Sequence, residues 1–273
     1  AGDASFRRYF RLSHGSQRCV AVHAPPATED NLSFLKIQEF LEENCIRAPA
    51  IKAHNLEFGY LLLEDLGDTQ LYDRLTDHKC FEKALDLLLN FALLDIVDIH
   101  IPVYSSETLE FELNIFPEWF LVRLLGLKLE IGERDLIEAV FQLLIKNAQE
   151  QPQVFSHRDL HSRNIMCLSD GACAVIDFQD AVIGPITYDF VSLTKDCYVR
   201  RSPAEVDKFA LEFREKLVQR NLLSKDKNAS KFIEWVDFMG LQRHLKVLGI
   251  FSRLHLRDGK HSYLTHLPLV IDY

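Results

Sequence analysis

Hydrophobic and polar positions change texture once along the chain. Residues 5–23 alternate loosely, with Tyr9, Phe10, Val20 and Val22 among the apolar positions and turn-like composition at Ser13–Gln17. That pattern predicts two strands joined by a hairpin. Pro25 and Pro26 end the second strand, since proline has no N–H to give a ladder. Leu32, Leu35, Phe40 and Leu41 repeat at helical spacing and predict a helix over 31–44. Phe58–Leu63 reads as a further strand, closed by Asp65-Leu66-Gly67. Beyond it the period becomes helical. Phe81, Ala84, Leu85, Leu88, Ala92, Ile96 and Ile99 predict a long amphipathic helix over 81–99. Further helices are expected at 115–125, 134–148, 203–221 and 230–256. Ser202-Pro203-Ala204-Glu205 reads as a capping box with proline at the first helical position. A small strand-rich lobe, residues 1–66, should therefore precede a larger, mainly helical lobe, residues 67–273.

Composition narrows the class. The chain has 273 residues, 48% apolar and 26% charged, which is an ordinary globular balance and length enough for a core. The formal charge of −9 argues against a general nucleic-acid binder, while leaving room for a local basic phosphate site. The apolar runs, such as YLLL and LDLLLN, fall short of the ~18 residues of a membrane span. Neither nucleic acid nor membrane is an expected partner. Cys19, Cys45, Cys80, Cys167, Cys173 and Cys197 form no CxxC pair and sit mostly in apolar runs. They read as reduced, buried thiols of a cytoplasmic protein.

Chemistry concentrates between Val154 and Phe190. Ile165–Leu168 and Ala172–Ile176 are short β-type runs about an Asp170-Gly171 turn signal. Asn164 and Asp177 lie symmetrically about that turn, so they are expected across from one another at the open end of the hairpin. An amide oxygen and a carboxylate held together suit Mg²⁺, which takes few protein ligands and shares the rest with water and phosphate. Asp159, five residues before Asn164, lies in a loop where it can accept a proton from an incoming hydroxyl. Such a base, amide and carboxylate are the minimum kit for phosphoryl transfer from a nucleotide. His157-x-Asp159-x-x-x-x-Asn164 has the spacing of a kinase catalytic loop, and Asp177-Phe178 stands where kinases carry Asp-Phe-Gly, with Gln179 in place of the glycine. His157 and His161 have the i, i+4 spacing of a zinc helix, but Arg158-Asp159 replaces the glutamate that a metalloprotease needs. His157 is read as a loop anchor and His161 as a neighbour of substrate or Asp177.

These residues, with Gly184-Pro185-Ile186-Thr187-Tyr188-Asp189 after them, resemble the aminoglycoside phosphotransferase/choline kinase superfamily of small-molecule kinases. Residues 2–10 (GDASFRRYF), Leu63-Glu64-Asp65, residues 112–120 (ELNIFPEWF) and residues 240–246 (GLQRHLK) extend the likeness over nearly the whole chain. They resemble the bacterial anomeric amino-sugar kinases of peptidoglycan recycling. The resemblance implies an α+β, protein-kinase-like bilobal fold with a small β-rich N-lobe and a larger mainly helical C-lobe. It implies ATP and Mg²⁺, with the anomeric hydroxyl of N-acetylmuramate or N-acetylglucosamine as acceptor. Asp159 falls on the catalytic position, Asn164 and Asp177 on the metal positions, and Asp189 on a structural one. Members carry a further N-terminal helix and strand, so the chain is expected to be truncated there. Aminoglycoside, choline and homoserine are the alternative acceptors. A catalytically dead binding module that kept the fold is the alternative class. Only eleven residues separate Asp177 from Asp189, little room for a long activation loop and peptide platform, so a small-molecule rather than a protein substrate is expected. A monomer is also expected.

The strand–loop–strand at the start covers nucleotide phosphates in that superfamily. Gly2 permits close backbone approach, Ser5 adds a hydroxyl, and Arg7 and Arg8 add forked donors. The usual third-strand Lys is missing: the chain reads Val20-Ala21-Val22-His23, and the next helix offers only Glu39 and Glu42, late in it. Arg7 or Arg8 is expected to supply the absent charge. Adenine is expected near Glu64 and Leu66. For the acceptor, Asn114, Glu118, Arg123, Gln242, Arg243 and His244 are the helix-borne candidates, beside His161. Amides and carboxylates suit sugar hydroxyls, and an arginine suits a lactyl carboxylate. Trp119 and Trp235 read as core.

Overall fold

β1 (Arg8–His14) and β2 (Gln17–His23) form the hairpin expected from the first alternation, turning at Gly15 with φ +60°. The computed structural model describes residues 6–97 and 99–273. After β2 come α1 (Asn31–Glu43), β3 (Ile51–Asn55), β4 (Tyr60–Glu64), a 3₁₀ turn at Leu71–Arg74 and α2 (His78–Ala92). Then follow α3 (Ser106–Leu113), a π-helical segment at Phe116–Leu124, α4 (Ile131–Gln149), β5 (Gln153–Ser156), β6 (Ile165–Cys167), β7 (Cys173–Val175) and β8 (Val182–Pro185). The chain closes with α5 (Tyr188–Thr194), α6 (Pro203–Gln219), α7 (Ala229–Asp258), a 3₁₀ turn at His261–His266 and α8 (Leu267–Ile271).

These elements gather into two units that interleave along the chain rather than dividing once near residue 66. One holds residues 1–90, 97–101 and 157–181. The other holds 91–96, 102–156 and 182–273. In the first, an antiparallel sheet runs in the order β1-β2-β4-β3. Its register sets Val22 beside Leu61 and Val20 beside Leu63, and Val22, Leu61 and Leu63 are buried along that face. α1 starts at Asp30, whose carboxylate accepts the Ser33 N–H at 3.0 Å, and buries Phe34, Ile37 and Leu41. The second unit is built around α7, whose thirty residues include buried Phe232, Trp235, Val236, Met239 and Phe251. Ser202 and Glu205 form the capping box of α6 as expected.

Gly59 is a point where no side chain fits. Its φ is +69°, its carbonyl accepts the Ala24 N–H at 2.7 Å, and a Cβ there would lie 2.0 Å from the Ala24 carbonyl oxygen. Gly59→Ala is expected to lower stability by roughly 2–4 kcal/mol, combining left-handed strain with overpacking. Gly15→Ala is the control: it has the same sign of φ but nothing within 4 Å. It should lose only the strain, about 1–2 kcal/mol. Urea midpoints for the two variants read the difference, and equal losses would show that the Ala24 clash relaxes freely.

Three expectations change. The helix expected over 81–99 begins at His78 and ends at Ala92, where Leu94 N–H closes it on the Phe91 carbonyl three residues back. Ile96 and Ile99, though in phase, belong to the irregular segment after it. All six cysteines are free, but only Cys197 is buried, and Cys45 is exposed. Cys167 and Cys173 face each other across β6 and β7. Burial first, then the neighbouring Cys80, pushes their thiols up to about 12 and about 11, so both are neutral. Trp235 is core, with its Nε1–H on Glu150 at 2.7 Å, whereas Trp119 is half-buried under the Arg123 guanidinium, 4.2 Å from the ring centre. Among the described residues no helix is long and apolar enough to cross a membrane.

Candidate active site

The hairpin β6–β7 pairs Ile165 with Val175, Met166 with Ala174 and Cys167 with Cys173. Asn164 therefore lies opposite Ile176, whose N–H donates to the Asn164 carbonyl at 3.0 Å. Asp177 falls one residue beyond, not across from Asn164. The cause is the turn. Leu168 N–H bonds the Ala172 carbonyl, so Ser169 joins Asp170 and Gly171 in a three-residue loop, with Gly171 at φ +79°. The axis of the hairpin passes through Asp170. Asp177 then turns the chain with φ +65°, and Arg158 does the same at +72°. Left-handed backbone at non-glycine residues is uncommon and gathers at functional sites.

The loop before the hairpin is tied to it at both ends. His157 is fully buried and its Nε2–H donates to the Ile176 carbonyl at 3.0 Å, which is the anchoring role expected of it. Asn164 is buried, and its Nδ2 donates to the Asp159 carbonyl at 2.9 Å, the same oxygen that accepts the His161 N–H. That bond fixes the amide at Nδ2. His161 is half-buried, with Nε2 3.5 Å from Asn164 Nδ2. Asp159 is half-buried and Asp177 exposed. Gln179, standing where kinases carry glycine, donates from Nε2 to Asp177 Oδ1 at 3.0 Å and to Asp180 Oδ2 at 3.3 Å. In place of the kinase glycine, Gln179 thus braces the Asp177 carboxylate. Phe178 is fully buried and stacks on Phe34 of α1, with ring centres 4.8 Å apart.

Gly2 and Ser5 lie outside the described residues. Strand alternation sends Arg7 and Arg8 to opposite faces. Arg8 is exposed and pairs with His23 in the register, so the residue at the usual Lys position shares the open face. Arg7 is buried, with Nε 3.2 Å from Glu29 Oε2. Tyr9 lies on the Arg7 side. Burial raises its phenol, the nearby Arg7 charge opposes this, and the Asp177 and Glu29 charges add to it. Glu64 is ion-paired with Arg47, and that bond holds its carboxyl below the usual range. Leu66 is half-buried just after β4.

The remaining acceptor candidates belong to the other unit. Asn114 is exposed and caps α3 through Nδ2 on the Glu110 carbonyl at 2.9 Å. Glu118 and Arg123 form an exposed pair at 2.7 Å. Gln242 and Arg243 are buried on α7, with Arg243 5.7 Å over the Tyr188 ring. Beside them Lys246 pairs with Glu112 at 3.0 Å and donates to the Tyr188 hydroxyl at 3.1 Å. His244 is buried, its Nε2–H on the Lys195 carbonyl at 2.9 Å, and burial pushes its pKa down to about 4, so it is neutral.

A phosphotransferase is the class that this fold and catalytic loop define. Residues 1–220 match the Phosphotransferase enzyme family, and the chain belongs to it. Two relatives are called N-acetylmuramate/N-acetylglucosamine kinase. The one from Pseudomonas aeruginosa is 40% identical over all of this chain and 81% of its own length. The one from Neisseria meningitidis is 36% identical over all of this chain and 83% of its own. Among solved structures, ethanolamine kinase from Plasmodium vivax superposes with a TM-score of 0.66 at 14% identity, covering 97% of this chain and 81% of that one. An ADP-bound aminoglycoside phosphotransferase gives 0.59 at 14% identity, covering 97% and 91%. The protein-kinase-like fold follows, with its small sheet at the N-terminal end and its helices toward the C-terminal end.

Proposed function

We propose that this phosphotransferase is an amino-sugar kinase, transferring the γ-phosphoryl group of ATP to the anomeric hydroxyl of N-acetylmuramate or N-acetylglucosamine. One observation carries the reading of the site. Asn164 gives its side-chain N–H to the Asp159 carbonyl and its own carbonyl to Ile176, which makes loop and hairpin end one hydrogen-bonded piece. The names of the full-length relatives support the acceptor.

Asn164 Oδ1 and the Asp177 carboxylate fit Mg²⁺ as a donor set, being hard oxygens on a site that leaves positions for water and phosphate. The ion, when bound, neutralises charge developing on the phosphates. Asp159 takes the proton of the acceptor hydroxyl, an easier task for an anomeric hydroxyl than for an ordinary alcohol. Residues 1–66, through Arg7 or Arg8, cover the donor phosphates, and the β4 exit at Glu64–Leu66 receives the base. Asn114, Glu118 and Arg123 are surface candidates for the acceptor. Such a reaction belongs in the cytoplasm, where ATP is supplied.

The test is phosphoryl transfer from ATP across N-acetylmuramate, N-acetylglucosamine, choline, homoserine and kanamycin. Turnover confined to the two amino sugars, giving the 1-phosphate, is expected. Turnover on choline, homoserine or kanamycin alone would move the acceptor class. Nucleotide binding without turnover on any would leave a binding module.

A further inference from the structure

Asp177 leads from β7 into a tight turn. Its φ is +65°, and the Phe178 carbonyl accepts the Ala181 N–H at 3.1 Å, which closes a β-turn with Gln179 and Asp180 at its centre. Phe178 is fixed in the core against Phe34, and Arg158 Nη1 donates to the Asp180 carbonyl at 3.4 Å, tying the turn to the catalytic loop. The backbone around Asp177 is therefore held. Its carboxylate is exposed, and an exposed side chain samples several rotamers unless something restrains it. Gln179 supplies the restraint. Its Nε2 donates to Asp177 Oδ1 at 3.0 Å and to Asp180 Oδ2 at 3.3 Å. An ionised carboxylate has no donor, so the amide meets both neighbours with its nitrogen. Among the described residues, Asp177 Oδ2 accepts no hydrogen bond, and Gln179 Oε1 is buried without a partner. A side chain that only filled space here would leave no buried acceptor unsatisfied. The polar ties of Gln179 go to carboxylates alone, and the shorter one goes to Asp177.

We propose that Gln179 is a positioning residue for the divalent cation that accompanies the phosphoryl donor: it binds one oxygen of Asp177 and so presents the other to the ion. The proposal rests on the kinase reading above. It adds a donor that an Asp-Phe-Gly sequence cannot supply, since glycine has no side chain, and places it two residues after the ligand it orients. Partners that orient a metal ligand typically carry ~10–100-fold in metal affinity. Gln179 acts through Asp177 and does not itself meet the ion.

Calorimetry with ADP, in EDTA and across a series of Mg²⁺ concentrations, separates this role from a structural one. Gln179→Met keeps the length of the side chain and removes the donor. The Mg²⁺ concentration that gives half of the gain in ADP affinity is expected to rise about tenfold or more in this variant. ADP affinity in EDTA, where no ion takes part, should stay native. In kinetics the Mg²⁺ requirement should rise in step while the sugar KM stays. The double variant D177N/Q179M should need no more Mg²⁺ than D177N alone, because the brace works only through that carboxylate. If Q179M does not fold, Gln179→Ala removes the donor without adding bulk, and the same contrast between EDTA and Mg²⁺ is read from it. A native Mg²⁺ series in Q179M or Q179A, a loss of ADP affinity that is equal in EDTA and in Mg²⁺, or fully additive losses in D177N/Q179M would overturn the proposal. A native protein that binds no ADP, or binds it equally in EDTA and in Mg²⁺, would overturn the metal-dependent kinase reading as well.

Discussion

Asp159→Asn is expected to fold normally, bind ATP normally and turn over about 10²–10³ times more slowly. The Asp159 backbone carbonyl ties the loop, accepting from Asn164 and from the His161 N–H, and asparagine keeps that carbonyl. What disappears is the proton acceptor. General-base effects span ~10²–10⁴-fold. The lower part of that range applies because the anomeric hydroxyl is relatively acidic and because phosphoryl transfer is largely a matter of positioning. The loss should fall on kcat and kcat/KM alike, since the interaction develops in the transition state. A folded variant turning over at the native rate would refute the role and reopen the choice among Asp177, Asp180 and His161.

Asp177→Asn tests the other half of the chemistry with little disturbance of the backbone. Asparagine tolerates the left-handed φ of +65° that this position requires. Phe178 stays in its stack against Phe34. The variant keeps one oxygen and loses the charge. Loss of an outer partner of a metal typically costs ~10–100-fold in metal affinity or activity. Loss of a ligand's charge should do at least as much. The Mg²⁺ concentration for half-maximal activity, titrated at fixed ATP, should therefore rise by about two orders of magnitude. An unchanged Mg²⁺ titration in a folded variant would remove Asp177 from the metal site.

Much of this was legible in the sequence because it is local. His157-x-Asp159-x-x-x-x-Asn164 is a spacing, and spacing survives without coordinates. α1, α6 and α7 showed in their periodicity and, for α6, in its capping box. The hairpin was legible, but its register was not. Asp170-Gly171 signals a turn equally well whether or not Ser169 belongs to it, and that one residue decides what faces Asn164. Alternation alone puts Arg7 and Arg8 on opposite faces, yet it cannot say which face is covered. Glu29 was invisible for a different reason. Its partners Phe6 and Arg7 lie 23 and 22 residues away in sequence, across a connection with no periodicity of its own. The buried positions of Gln242 and Arg243 follow from α7 being covered on most sides, whereas a polar residue on a helix reads first as surface.

The interleaving of the two units has a consequence for the order in which the protein is made. The sheet of β1 to β4 is complete in sequence by Glu64, but its unit also requires residues 157–181. Until those emerge from the ribosome, the Phe34 ring waits without Phe178 and the Arg47 carbonyl without the Val175 N–H. Nascent chains in that interval expose apolar surface and open strand edges, the conditions under which chaperones are recruited. Residues 157–181 are thus among the last to join the unit of that sheet, which is finished only when most of the chain has been synthesised.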